Sequence, residues 1–141
     1  MRRKGRECAL QLLYQMDMQG LLEGDVHSDD ISDAMGGFWD SFEPVEEEDR
    51  GYAERLVDGV LREFTELNAV IQSASHRWKI DRMAQVDRNL LRIAAFEIYH
   101  CPDIPRSVSI NEAIEVAKRF SGSESYAFIN GILDNLKPAE S

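Results

Sequence analysis

Apolar residues recur three and four positions apart along most of the chain, the period of a helix with one buried face. Ala9, Leu12, Leu13 and Met16 form one such stripe and predict a helix from about Arg3 to Gln19, which Gly20 and Gly24 end. Ile31, Met35, Phe38 and Phe42 predict a weaker helix from about Asp29 to Trp39, where Gly36 and Gly37 each cost about 1 kcal/mol. Tyr52, Leu56, Val60, Phe64, Leu67 and Ile71 share a face behind the acidic run Glu46–Asp49, which suits a helix N-terminus. Thr65 offers a cap that would split this stretch in two. Val86, Leu90, Ile93 and Ala94 predict a helix from about Met83 to Tyr99, stopped by Cys101-Pro102. Ser109-Ile110-Asn111-Glu112 has capping-box spacing. It opens a helix that runs to about Phe120, or strengthens one a turn in. After the break Ser121-Gly122-Ser123, the positions Phe128, Ile129, Ile132, Leu133 and Leu136 predict a last helix over about Glu124–Leu136.

Six or seven helices with short connections imply an all-α bundle. Four prolines leave long uninterrupted stretches, threonine occurs once, and no polar/apolar alternation suggests a sheet. The Pro44 region divides the chain into a smaller N-terminal and a larger C-terminal part. A length of 141 residues suits one domain, and 43% hydrophobic residues can fill a core. No apolar run approaches the roughly 20 residues that span a bilayer. The start Met1-Arg2-Arg3-Lys4 leads into no apolar signal core. Cys8 and Cys101 form no CxxC pair, which fits a reducing cytoplasm.

Catalytic constellations are not found. His27, His76 and His100 have no Cys or His neighbour at ligand spacing, and no phosphate loop, GxSxG or HExxH motif occurs. Glu46–Asp49 reads as a solvated face, and Cys8 as a small buried hydrophobe. Neither an enzyme nor a cofactor or metal is expected.

Net charge is −10, but it is unevenly spread. Residues 1–20 carry +2, residues 21–54 carry −11, and residues 55–141 carry −1. Arg2, Arg3, Lys4 and Arg6 crowd the start of the first helix, where cations oppose the macrodipole. Phosphate would repay that arrangement through charge-assisted hydrogen bonds and counterion release; a frayed, solvated tail is the alternative. Tyr14 lies further along the same helix, Lys118 and Arg119 close another, and Phe128 lies in the last. Cations interleaved with rings suit single-stranded RNA. Core packing for Phe128 and helix-end electrostatics for Lys118 and Arg119 are the plainer alternatives.

The segment Arg2-Arg3-Lys4-Gly5-Arg6-Glu7-Cys8-Ala9-Leu10-Gln11-Leu12-Leu13-Tyr14 resembles the N-terminal signature of the NusB family of bacterial transcription antitermination factors. Val86-Asp87-Arg88, Leu91-Arg92-Ile93-Ala94 with Glu97, Asp103-Ile104-Pro105, Ile110-Asn111-Glu112-Ala113-Ile114-Glu115-Val116-Ala117-Lys118 and Phe128-Ile129-Asn130-Gly131-Ile132-Leu133-Asp134 follow that pattern in order. The likeness covers nearly all of 1–20 and 80–136 and is weak between them.

The resemblance implies a single RNA-binding domain of two small helical subdomains, about 1–77 and 78–137. It implies a non-catalytic factor that binds the boxA element of ribosomal RNA leader transcripts with the NusE ribosomal protein, within an RNA polymerase antitermination complex. By position, Arg2, Arg3, Lys4, Arg6, Tyr14, Lys118, Glu124 and Phe128 would lie at RNA, and Asp87 would face NusE. The loop 121–124 departs from the family's Phe-Gly pattern. Gly5 replaces a frequent alanine and should loosen the first turn. Asn111 and Glu112 should fix a helix start, and Asn130-Gly131 should permit close helix contact. The rival is a protein-only helical module, such as a homodimer using the same surface. A detached domain of an RNA-modifying enzyme fits poorly, because the chain has no room for a catalytic domain.

Overall fold

The apolar stripes fold into seven α-helices in a computed structural model that describes residues 2–22, 28–41 and 44–138. They are α1 (Arg2–Met18), α2 (Ser28–Ser41), α3 (Glu47–Arg62), α4 (Phe64–Ala74), α5 (Gln85–His100), α6 (Arg106–Phe120) and α7 (Ser123–Leu133), with one turn of 3-10 helix at Ile80–Arg82. No strand occurs among the described residues. Gly24 and Phe42 lie outside them.

The long periodic stretch does split in two, but at Glu63 instead of at a Thr65 cap: Glu63 ends α3 and starts α4 with no side-chain capping bond. α6 begins one turn ahead of the capping box. Pro105 precedes its first turn, and the Ser109 hydroxyl is buried without a hydrogen-bond partner. Proline tolerates that place because the first amides of a helix have no internal acceptor. Arg106 closes α7, donating from Nε to Leu136 O (2.8 Å) and from Nη2 to Leu133 O (3.1 Å) and Asp134 O (2.8 Å). These bonds satisfy carbonyls that a helix end leaves open.

α5 is the central element, packed against α1, α3, α4, α6 and α7. That is why Leu90 to Ile98 is buried without interruption. One apolar cluster runs through the molecule, with Leu12, Leu13, Leu56, Leu67, Leu91, Ile129 and Leu133 fully enclosed. The expected subdomain boundary near 77 falls in the connection between α4 and the 3-10 turn, and α1 packs on elements from both sides of it.

Two glycines set helix approach. A Cβ on Gly59 of α3 would stand 2.1 Å from Phe96 Cζ of α5, so only glycine lets that ring seat. Gly5 is buried, and a Cβ there would lie 3.0 Å from the Asp49 carbonyl oxygen. It therefore brings α1 close to α3, within a helix that is continuous from Arg2. Gly131 is exposed with nothing near its absent Cβ, so the close contact expected there does not form.

At the end of α1, buried charge is paired. Asp17 accepts from Arg88 Nη2 (2.6 Å), Arg88 Nε (2.7 Å) and Asn89 Nδ2 (2.8 Å), and Arg92 Nη1 is 3.5 Å away. Burial alone would raise its carboxyl, but the bonds from Arg88 and Asn89 and the nearby cations outweigh that and hold it below the usual range. This knot ties the end of α1 to the first turns of α5.

Candidate nucleic-acid interface

The expected basic cluster divides by helical geometry. Residues 2, 3 and 6 leave α1 in different directions, and only the first two reach solvent. The Arg2 and Arg3 side chains are 46% and 51% exposed. Arg3 meets Glu112 of α6 with two parallel bonds, Nε to Oε1 at 3.0 Å and Nη2 to Oε2 at 2.7 Å. Those bonds hold the Glu112 carboxyl below its ordinary range. Glu112 thus fixes Arg3 instead of a helix start, and Asn111 is exposed. Arg2 lies over the Tyr52 ring at 5.0 Å, with Asp103 at 3.7 Å. Lys4 is half-buried.

Arg6 is placed differently from Arg2 and Arg3. It is 3% exposed, points inward, and donates to Glu97 from Nε (3.0 Å) and Nη2 (2.8 Å). The Tyr52 hydroxyl donates to the same carboxylate. Burial first, then this bond to Glu97, pushes the Tyr52 phenol well above its ordinary value. Glu97 is itself 1% exposed. Arg6 therefore neutralises an interior carboxylate, and its Nη1, 3.4 Å from Glu112 Oε1, reaches only the floor of the neighbouring groove.

The exposed groups follow the seam between α1 and α6. Beyond Arg3–Glu112, the buried Glu7 of α1 accepts from Arg119 Nη1 at 2.8 and 2.9 Å, while the Arg119 side chain stays 62% exposed. Lys118 stands 3.3 Å from Glu115 and 5.7 Å from the centre of the exposed Tyr126 ring. Tyr14 borders a cleft of about 280 Å³ with Leu10, Gln11, Gln15, Val86 and Phe120. Residues 3, 7 and 14 share one face of α1, so this strip runs about 17 Å at 1.5 Å per residue. At its N-terminal end opens a groove of about 710 Å³, lined by Arg2, Arg3, Glu48, Asp103 and Glu112 over Arg6, Ile104, Pro105 and Val108.

Phe128 and Glu124 belong to a different groove. It measures about 310 Å³ and is also lined by Trp78, Arg82, Met83, Ala84, Asp87 and Ser125. Asp87 lies at the base of this groove. It is 8% exposed and accepts from the hydroxyls of Ser121 (3.0 Å) and Ser125 (3.3 Å). It fastens the start of α5 to the α6–α7 connection and offers a partner little surface.

Trp78 is a residue the sequence reading passed over. It is 55% exposed, between exposed Arg77 and Lys79. Among the described residues no carboxylate engages the Arg77, Lys79 or Arg82 side chains. The loop is held from beneath: Gln72 Nε2 and Ser75 Oγ donate to Trp78 O (3.0 and 2.9 Å), and Ile80 N donates to Gln72 Oε1 (2.9 Å). A run of three cations and a tryptophan in six residues was the available signal.

Comparison with known proteins decides the family. The NusB family model matches residues 3–138. The chain belongs to the NusB family. A transcription antitermination protein NusB of Anaeromyxobacter dehalogenans is 46% identical over 135 residues, covering 96% of this chain and 89% of that protein. One from Myxococcus xanthus is 42% identical over 141 residues, covering 98% and 95%. Among solved structures, T. maritima NusB superposes with a TM-score of 0.81 at 29% identity, covering 96% of this chain and 89% of that one. A chain from a complex of antitermination factors NusB and NusE with double-stranded RNA superposes at 0.80 with 22% identity, covering 96% and 94%. That last likeness supports the all-helical NusB fold alone.

Proposed function

We propose that this NusB-family chain is a non-catalytic antitermination factor that binds boxA-type single-stranded RNA of ribosomal leader transcripts beside a NusE-type ribosomal protein. The observation that carries the reading is the α1–α6 strip, where Arg3, Lys118 and Arg119 stand exposed, with Arg2 in the groove at one end and Tyr14 at the other. Lys4, half-buried at the same helix start, stays with this group as an edge contact. Glu112 and Glu7 aim the Arg3 and Arg119 guanidiniums while leaving further N–H groups facing outward. A phosphate arriving there meets pre-oriented donors but shares them with carboxylates, so binding is moderate and salt-sensitive. The cleft beside Tyr14 suits stacking by an unpaired base, worth about 1–3 kcal/mol.

The groove of Trp78, Arg82 and Phe128 is then the side where RNA and the protein partner meet. Trp78 supplies an exposed anchor of the kind that dominates interfaces. Asp87 acts there by positioning the loop of Ser121 and Ser125, and Glu124 stands at the rim. Such a factor would work beside RNA polymerase in the cytoplasm, with the two helical subdomains meeting near residue 77 and α1 bridging them. No helix among the described residues is long and apolar enough to cross a membrane.

The test is fluorescence anisotropy of labelled boxA and scrambled RNA, titrated with the chain alone and with the NusE-type protein. A preference for boxA that grows when the partner is added is expected. Equal affinity for both RNAs in both conditions would leave the protein-only module, or a homodimer through the strip, as the better reading.

A further inference from the structure

Glu63, from the α3–α4 connection, Glu66 of α4 and His100 of α5 meet at one surface point. Glu63 is the single residue between α3 and α4, with φ −101° and ψ 22°. The helix path turns there, so its side chain and that of Glu66, three positions on, leave the same corner. His100 is the last residue of α5 and arrives because α4 packs along α5. Its Nε2 lies 3.0 Å from Glu66 Oε1. Its ring is stacked on Phe96, with centroids 5.5 Å apart and 21° between planes. One donor atom from each of the three residues lies within 4.8 Å of the other two.

We propose that these three side chains form a binding site for a divalent transition-metal cation of the zinc type, with one imidazole nitrogen, two carboxylate oxygens and water completing the shell. Nitrogen and oxygen ligands lie about 2.0–2.2 Å from zinc, which puts neighbouring donors of a tetrahedron roughly 3.4 Å apart. The His100–Glu66 pair already has that order of spacing. The Glu63 carboxylate, within 4.8 Å of the other two donors, has at most about 1.4 Å to close, which a side-chain rotation can supply. Its one competitor in the described structure, Arg62 Nε at 3.3 Å, belongs to a side chain that is 65% exposed and free to swing out. The imidazole sets the selectivity, because calcium and magnesium favour all-oxygen shells. Stacking on Phe96 fixes the ring before any ion arrives, so binding orders mainly the two glutamates. The ion would pin the α3–α4 corner to the end of α5.

The test uses the full chain, stripped with a chelator, in a buffer that does not bind metal. Titration with zinc chloride is followed by calorimetry and by thermal melting. One zinc per chain and a raised Tm are expected, with no comparable effect of calcium or magnesium. His100→Ala and Glu66→Gln should each weaken zinc binding at least about tenfold, as loss of a ligand or its close support does. The double variant E47Q/E48Q, at the start of α3, should leave it unchanged. Circular dichroism checks that every variant stays helical. Absence of stoichiometric zinc binding overturns the site, as does parental affinity in either His100→Ala or Glu66→Gln.

Discussion

Replacing Arg6 by alanine separates a structural cation from a ligand-facing one. The guanidinium is 3% exposed and makes three hydrogen-bond contacts to Glu97 at 2.8 to 3.1 Å. Removing it leaves a carboxylate that is 1% exposed with only the Tyr52 hydroxyl as a strong donor. Breaking a buried ion pair from one side costs about 3–5 kcal/mol. For a domain of this size 1 kcal/mol shifts Tm by about 3 °C, so Arg6→Ala should melt roughly 10–15 °C below the parent. The assay is a thermal melt by circular dichroism, followed by RNA anisotropy at a temperature where the variant is fully folded. There its affinity for boxA RNA should stay within about threefold of the parent, because Arg6 contributes no phosphate contact. A variant that melts like the parent but loses RNA binding tenfold would refute this assignment and return Arg6 to the interface.

Other outcomes follow from the same geometry. Asp17→Asn leaves Arg88 and Arg92 without their shared carboxylate and should cost about 3–5 kcal/mol in chemical denaturation. The Asp17 carboxyl is depressed in the folded state, so its contribution is present above the ordinary value of 3.8 and is lost as pH falls through the lower folded value. Urea midpoints measured between pH 6 and pH 2 should therefore converge for parent and Asp17→Asn. Gly59→Ala places a methyl in the Phe96 ring and should destabilise by about 3 kcal/mol or more; adding Phe96→Leu should restore part of it in the same melt. Trp78→Ala should leave Tm within about 1 °C, because an exposed side chain carries little stability, yet weaken capture of the NusE-type partner in a pull-down.

How far the sequence was legible follows from what each pattern encodes. Periodicity locates helix faces, so Ala9, Leu12, Leu13 and Met16, and later Ile129, Ile132 and Leu133, were readable as core, and all seven are buried. Ends were less legible because caps compete: Pro105 starts α6 ahead of the Ser109 capping box, and Glu63 breaks the chain two residues before Thr65. The basic start could not be divided in advance. Whether Arg3 or Arg6 faces inward depends on where Glu97 and Glu112 arrive, and both lie about ninety or more positions away. A separation of 34 positions likewise hid the pairing of His100 with Glu66, which local ligand spacing does not register. The likeness to the family supplied positions such as Asp87 but not their burial, nor the hydroxyls of Ser121 and Ser125 that Asp87 holds.

Affinity for labelled boxA RNA as a function of salt tests the central claim most directly. Four phosphate contacts through Arg2, Arg3, Lys118 and Arg119 give a log–log slope near −3, at about 0.7 per contact. A fourfold rise in salt should therefore weaken binding roughly fiftyfold. Changing those four residues together to alanine should leave at most the slope of about −0.7 that the Lys4 edge contact supplies, while the helical signal is kept. A slope unaltered by the fourfold substitution would mean that the transcript lies elsewhere on the molecule.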